Sequence, residues 1–376
     1  MANDYDIGIA GGGLAGLCLS LLAADAGYSV ALFEKEQYPF HKVCGEYISY
    51  ESYDFVMLLG LPLADMNLPE IKHLQVSDMN GRLYDFKLDT GGFGISRYTI
   101  DNMLYQLALR AGVAVYTEEK VTDIHFEHNN HIIQTNKRKL TATIAAGAYG
   151  KRSNLDIKWK RSFAEKKPDK LNNYIGVKYH VRADFPKSHI ALHNFKNGYC
   201  GISAVEDDTY CLCYLTTADN LSANTGSIQK MQENVLYRNP VLKKLFTESE
   251  FLYDAPLTIS QISFDKKTQV ENHILMLGDA AGMITPLCGN GMSMAMHAAK
   301  LAFNEMHGLL ERKISRVEME SGYTAAWRKQ FAVRLATGRL VQRLMGSNST
   351  AFVLKLLHGF PFLGKIFIRA THGKRF

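Results

Sequence analysis

At 376 residues the chain is long for a single core, so two domains are expected, and 47% hydrophobic with 21% charged residues is ordinary globular composition. Six cysteines make no disulfide framework at this length, Cys211-Leu-Cys213 is no metal quartet, and no run approaches the roughly 18 apolar residues of a membrane span. The net charge of +6 is uneven: residues 321–376 hold ten Lys or Arg and no Asp or Glu, leaving 33 basic against 37 acidic residues elsewhere, so the basicity belongs to the tail. There is no internal repeat and no aromatic-basic motif for nucleic acid. "MANDYDIGIAGGG" enters a strand at once without a leader pattern, so a reducing cytoplasm is the expected home, with peripheral contact at the inner membrane face open to the tail.

In chain order, Tyr5–Ala10 reads as a buried strand, Leu14–Ala26 as a helix closed by Gly27, and Tyr28–Phe33 as a second strand. Gly11, Gly13 and Gly16 stand at the first turn. In a strand–helix–strand unit they supply a tight turn, close approach of backbone to a pyrophosphate, and close packing of helix on sheet. The helix N-terminus adds free N–H groups and partial positive charge. Glu34 ends the second strand 23 residues after Gly11, where a carboxylate accepts both hydroxyls of an adenosine ribose. That favours FAD or NAD over NADP. A glycine-rich turn in some other α/β protein is the plain alternative.

Residues 71–90 read as strands, and 161–264 largely as strands too. In "NYIGVKYHVRA", Ile175, Val177, Tyr179 and Val181 alternate with Gly176, Lys178, His180 and Arg182, the pattern of a half-buried strand. "GYCGISAV", "EDD" and "TYCLCYLTT" read as a hairpin. Ile274–Leu277 is an apolar strand ending in Gly278-Asp279, followed by a turn with Pro286, Gly289 and Gly291 and a helix over Met292–Phe303. Asp279 is placed to accept from a ribityl hydroxyl. The Gly289–Gly291 turn presents N–H groups to a flavin ring, whose facing end gains negative charge on reduction. Met283, Met292, Met294 and Met296 read as core. His41, His273 and His297 have no ligand partners in the pattern and read as structural; no metal site is expected. Beyond Tyr323, basic and apolar residues alternate, and Phe352, Leu356, Phe360, Leu363 and Phe367 can share a face. The tail reads as helices packed on the cofactor domain with a solvated basic side, or as a segment for anionic lipid or an acidic carrier protein.

"GGGLAG…FEK" and "GDAAGMITPLCGNGMSMAM" together resemble the FAD-dependent oxidoreductases of the aromatic-hydroxylase fold, in particular the geranylgeranyl reductase-like branch, over roughly residues 1–310. "FHKVCGEYIS" (40–49) is similar to that family's basic-x-Cys-Gly segment beside the ring, and "ISRYTIDNMLYQLALRAGVAV" (95–115) to its Arg-containing helix. The resemblance implies an α/β fold: a Rossmann-like FAD-binding domain over 1–70, 96–160 and 265–315, an interleaved antiparallel substrate domain over 71–95 and 161–264, and a basic helical region over 316–376. It implies that Glu34-Lys35 and Lys42 belong to the FAD site, that Arg97 contacts the ribityl or phosphate region, and that Val121 meets the adenine through its backbone. It places Tyr199 in the aromatic segment facing the ring and Cys44 beside the ring. There a thiol, favoured as thiolate by Lys42, can protonate one carbon of a double bond while the flavin gives hydride to the other. Cys44 as a small packing residue is the plain alternative.

Two departures bear on the chemistry. The family's Asp-Gly pair is replaced by Ala148-Tyr149 before Gly150, although Ser153 remains, and no second glycine fingerprint is visible. The reductant is therefore open between NAD(P)H and a protein electron donor. The Trp-x-Phe-Pro element that follows the aromatic segment in the resembled reductases is missing, since the only tryptophans are Trp159 and Trp327, and the Trp-x-Trp-x-x-Pro element of flavin halogenases is missing too, which discounts halogenation. The leading expectation is a reductase or dehydrogenase of a hydrophobic, unsaturated lipid-, isoprenoid- or polyene-like substrate. The alternatives are a monooxygenase for an aromatic, polyene or carrier-bound substrate and a flavin-binding electron carrier.

Overall fold

The computed structural model describes residues 3–166, 172–285, 289–344, 346–347 and 349–376. The strand Tyr5–Ala10 lies in the middle of a parallel stack. Val30–Phe33 flanks it on one side and Lys139–Gly147 on the other; Ala114–Tyr116 and Ile274–Met276 lie beyond them. The inner ends of the central strands, Ile7–Ala10, Val30–Phe33 and Ile144–Gly147, are apolar and buried, as suits parallel strands covered on both faces. A hairpin of Val121–Glu127 and Asn130–Thr135 continues the sheet antiparallel from Lys139–Gly147.

Helix Leu14–Asp25 follows the glycine turn at once and ends as the sequence predicts, with Gly27 at φ +85°. The second strand starts at Val30 rather than Tyr28, because Asp6 engages Ser29 through backbone and side chain before the parallel ladder begins. Helix Gly291–Leu310 packs on Leu14–Asp25; Met292, Met294 and Met296 are buried in that core, as read from the sequence, together with Met306, and Met283 is buried in the cluster under the second sheet.

The second sheet runs Glu250–Phe251, Tyr174–Arg182, Tyr210–Thr217, Gly198–Ala204, His189–Phe195, Glu70–Ser77, Leu83–Gly94 and Tyr47–Ser49. Its pairs are antiparallel except His189–Phe195 with Glu70–Ser77. The hairpin expected over 198–217 is present, in register Gly201↔Cys213 and Ser203↔Cys211. One face of this sheet carries Val177, Tyr179, Leu212 and Tyr214, which pack with Met231, Leu242 and Phe246 of two covering helices.

The other face corrects the half-buried reading of strand Tyr174–Arg182. Lys178 and His180 point away from those helices but not into water: their side chains are 1% and 4% exposed. The segment 40–46 covers them, and a two-residue period cannot tell such a cover from solvent.

Helix Arg316–Leu344 lies on Gly291–Leu310, with Met319, Tyr323, Trp327 and Phe331 buried in the first core. The last two helices, Thr350–Gly359 and Pro361–Thr371, reach the second sheet instead. Leu354 packs with Val76 and Tyr84, and His358 meets the Tyr84 ring edge-on. Of the apolar face predicted in the tail, Phe352, Leu356, Phe360 and Leu363 are all exposed; the side chain of Phe367 lies outside the described residues.

Candidate cofactor and substrate site

A cavity of about 1180 Å³ opens between the two sheets. Gly11, Gly13, Glu34, Lys35, Lys42, Cys44, Arg97, Val121, Tyr199, Gly278, Asp279, Gly289, Gly291 and Met292 all line it. Gly16 lies beneath the turn, and Pro286 lies outside the described residues. Sites for drug-sized ligands occupy about 300–1,000 Å³, so this volume suits a dinucleotide with a second ligand beside it.

The glycines differ in what they do. Gly11 has φ +111°, and a Cβ on Gly16 would sit 2.0 Å from the Gly11 carbonyl oxygen. These two allow the turn to exist. Gly13 has ordinary extended backbone and is the N-cap of Leu14–Asp25, whose first turn has no side-chain cap and no acidic residue. A Cβ there would enter the cavity, its nearest neighbours being Arg97 Nη2 at 3.6 Å and Lys42 Nζ at 3.7 Å. Free helix N–H groups and two cations over an open glycine make an anion cradle. The residues present fit the pyrophosphate of a dinucleotide.

Asp101 organises the two cations. Its carboxylate accepts from Arg97 Nε and Nη2, each at 2.7 Å, and pairs with Lys42 Nζ at 3.1 Å. Burial opposes its charge, but Arg97 and Lys42 outweigh that and hold the carboxyl below its usual range. Sequence reasoning missed Asp101, although Arg97 and Asp101 stand four apart on a predicted helix, the spacing of a surface pair. Lys42 also lies 3.7 Å from Glu34. Its charge is thus shared between two carboxylates.

Glu34 is 6% exposed and accepts from the Gly12 and Glu36 N–H groups, at 3.1 and 3.2 Å. A carboxylate has about four lone-pair directions, so capacity for a ribose remains. Lys35 sits exposed at the rim, paired with Glu36. Among the described residues Asp279 has no side-chain partner; its carbonyl accepts from Lys267 Nζ at 2.8 Å. Burial pushes the Lys267 ammonium down to about 8. Gly289 has φ +64°, and a Cβ there would lie 2.8 Å from the Tyr47 ring. Helix Gly291–Leu310 starts next to it with no side-chain capping bond from Asn290.

The segment 40–46 carries the tightest constraint. Four successive carbonyls each accept from a side chain: Lys42 from Lys178 Nζ at 3.2 Å, Val43 from Lys151 Nζ at 2.8 Å, Cys44 from Cys211 Sγ at 3.1 Å, Gly45 from Ser203 Oγ at 2.9 Å. Glu46 follows at φ +56°, fully buried, and its carboxylate takes Lys178, His180 Nε2 at 2.6 Å and the Arg97 N–H at 2.7 Å. Burial works against the Glu46 charge, yet Lys178 and His180 outweigh it and hold the carboxyl down to about 2. Burial likewise opposes the Lys178 charge, and Glu46 raises its affinity for the proton above the ordinary value. Glu46, His180 and Cys211 also bring metal-type donors within 4.8 Å of one another. In this arrangement Lys178 pairs with Glu46, and the Cys211 thiol donates to the Cys44 carbonyl.

Beyond Cys44 the cavity wall turns apolar, with Ile190, Leu192, Tyr199, Leu215, Ile259, Ile262 and Met283. Neither tryptophan lines it: Trp159 donates to Asp123, and Trp327 packs in the first core. Tyr149, in the place of the missing Asp, donates to Asp156 at 2.8 Å and accepts from Arg161, so it is tied into the buried Arg161–Asp156 pair.

A family model described as FAD binding domain matches residues 4–311. Among curated proteins, conditioned medium factor receptor 1 of Dictyostelium discoideum is 22% identical over 356 residues, 87% of this chain and 68% of that one. Digeranylgeranylglycerophospholipid reductase of Methanococcus vannielii is 22% identical over 345 residues, 88% of this chain and 84% of that one. Among solved structures, the flavin-dependent halogenase CmlS has TM-score 0.76 at 17% identity, covering 90% of this chain; this chain spans 64% of it. A geranylgeranyl bacteriochlorophyll reductase-like protein from Thermoplasma acidophilum has TM-score 0.74 at 17% identity, covering 98% of this chain and 92% of that one. At these identities the two structures show the fold.

Two predictions follow from the site. Gly13→Val, whose side chain meets open space, should give folded but colourless protein, while Gly16→Val, which strikes the Gly11 carbonyl, should not fold. Circular dichroism and the flavin absorbance of the purified variants read both; full flavin content in Gly13→Val would refute the cradle. Lys178→Met removes the ammonium from a buried carboxylate, leaving it only His180 and the Arg97 N–H, and should cost about 3–5 kcal/mol in urea unfolding at neutral pH, and the Glu46→Gln/Lys178→Met pair should cost less. Because the Glu46 carboxyl is held below its ordinary value near 4.5, its contribution is present above that pH and is lost as pH falls toward about 2. The Lys178→Met deficit should therefore shrink on acidification; a constant deficit would place the loss elsewhere.

Proposed function

The chain belongs to the FAD binding domain family and is an FAD-dependent oxidoreductase, and from that premise we propose that it reduces a carbon–carbon double bond of a hydrophobic, isoprenoid- or polyene-like lipid. The observation that carries this reading is the continuity of one cavity. Its glycine cradle is cationic and polar, its far wall is apolar, and the segment bearing Cys44 joins the two. A likeness to a digeranylgeranylglycerophospholipid reductase supports the same substrate class.

Bound FAD supplies hydride transfer from its ring. The remaining work falls to the chain. Gly11, Gly13, Arg97 and Lys42 hold the pyrophosphate, Glu34 the adenosine ribose, and Asp279 a ribityl hydroxyl. Leu192, Tyr199, Leu215 and Met283 exclude water and seat the apolar substrate. Cys44 Sγ gives a proton to one alkene carbon as the other receives hydride, so the double bond becomes a single bond with two new C–H bonds. The thiolate left behind takes its proton back from water. The clamp on the carbonyls of 42–45 fixes where that sulfur stands.

The test is anaerobic incubation of dithionite-reduced protein with a geranylgeranyl-chain lipid, followed by mass spectrometry. The expected product carries two added hydrogens per double bond consumed. Product only in air, with oxygen added, would overturn the reading in favour of a monooxygenase. Cys44→Ser should slow substrate reduction by about a hundredfold or more, because a hydroxyl is a far weaker acid, and leave flavin reduction by dithionite unchanged. Wild-type rates in both half-reactions would make Cys44 a packing residue.

A further inference from the structure

The last two helices, Thr350–Gly359 and Pro361–Thr371, have two distinct sides. On the inner side Leu354 joins the cluster of Leu192, Tyr199, Leu215 and Met283, and Ile368 packs on the cluster of Tyr47 and Leu88. Five of these partners, Tyr47, Leu192, Tyr199, Leu215 and Met283, line the cavity, so the two helices back its apolar end. On the outer side Phe352 is 72% exposed, Phe360 59%, Phe362 73% and Ile366 49%, with Leu356 and Leu363 at 40%. Scattered exposed apolar residues need no explanation, but Phe352, Leu356 and Phe360 repeat every fourth residue, and six such side chains fall within fifteen positions.

The tail's own charge has one sign. Lys355, Arg343 and Lys374 are exposed, and residues 321–376 contain no Asp or Glu. Arg369 and Arg375 are partly spent on Asp89 and Asp54. No helix among the described residues is long and apolar enough to cross a membrane. We propose that this face docks the protein on an anionic lipid bilayer, with the aromatic rings entering the headgroup boundary and the basic side chains on the headgroups. An acidic protein would match the charges, but projecting phenyl rings on short helices match the acyl boundary better. The docked helices are those that back the apolar end of the cavity, so a lipid substrate would meet the chamber from the bilayer side. That last step rests on the proposed substrate class; the docking does not.

The experiment is co-sedimentation of the full-length holoprotein with vesicles of phosphatidylglycerol and phosphatidylcholine, at low and high salt. Binding at low salt that weakens several-fold at high salt is expected, since exposed charges are screened within about 8 Å at physiological ionic strength. Phosphatidylcholine vesicles alone should bind less. Phe352→Ser/Phe362→Ser, which keeps the net charge and alters only exposed side chains, should lower partitioning about tenfold with the flavin spectrum and melting temperature unchanged. No binding at low salt would overturn the proposal, as would undiminished binding by the double variant. Binding to polyglutamate without binding to vesicles would also overturn it, in favour of an acidic protein partner. None of these readouts uses turnover, so they stand or fall separately from the proposed reaction.

Discussion

A buried carboxylate, Glu46, ties the two halves of this molecule together. It leaves the cofactor side on a segment at positive φ and meets Lys178 and His180 on the underside of the antiparallel sheet. An ion taken out of water is costly unless its partners are well placed, and these partners are. With the charge neutralised, the carbonyls of Lys42, Val43, Cys44 and Gly45 take up a side-chain donor each. One segment therefore delivers Lys42 to the anion cradle and Cys44 to the cavity wall, with its position set by the sheet above rather than by its own sequence. A segment held at four successive carbonyls is fixed against the sheet, and with it the distance between cradle and apolar wall.

The cavity owes its two characters to the same arrangement. At the glycine turn the protein leaves helix N–H groups uncapped and gathers Arg97 and Lys42 around Asp101, so the site is cationic but not an unshielded cluster of like charge. Under the sheet, alternation puts Leu215, Tyr199 and Leu192, on the next three strands in turn, on the face that Lys178 and His180 occupy. A single sheet face thus carries both polar and apolar side chains, and Leu192, Tyr199 and Leu215 of that face line the cavity.

The cofactor end was readable in the sequence because its chemistry is local. Three glycines, a helix start and Glu34 fall within 24 residues, and Gly278-Asp279 stands at the end of an apolar run. The parallel strands and the 198–217 hairpin were readable for the same reason. The clamp was not: Glu46 meets Lys178 and His180 across 132 and 134 residues, and Cys44 meets Cys211 across 167. Nothing short of the fold brings those together, and a period-two strand made Lys178 read as solvent-facing. Asp101 was within reach, four positions after Arg97. The placement of the last two helices on the second sheet depends on contacts such as Leu354 with Tyr84, which no local pattern in the tail encodes.

We propose that the cradle, Glu34 and Asp279 hold both ends of one FAD in a cavity that continues into an apolar chamber. Calorimetric titration of apoprotein with FAD, FMN and NAD tests it most directly. One FAD per chain is expected, bound at least tenfold more tightly than FMN, which lacks the adenosine that Glu34 and the Val121 strand would hold. Asp279→Ala should weaken FAD binding by about 1–3 kcal/mol, the cost of one lost buried hydrogen bond. Equal affinity for FAD and FMN, or tighter binding of NAD than of FAD, would contradict it.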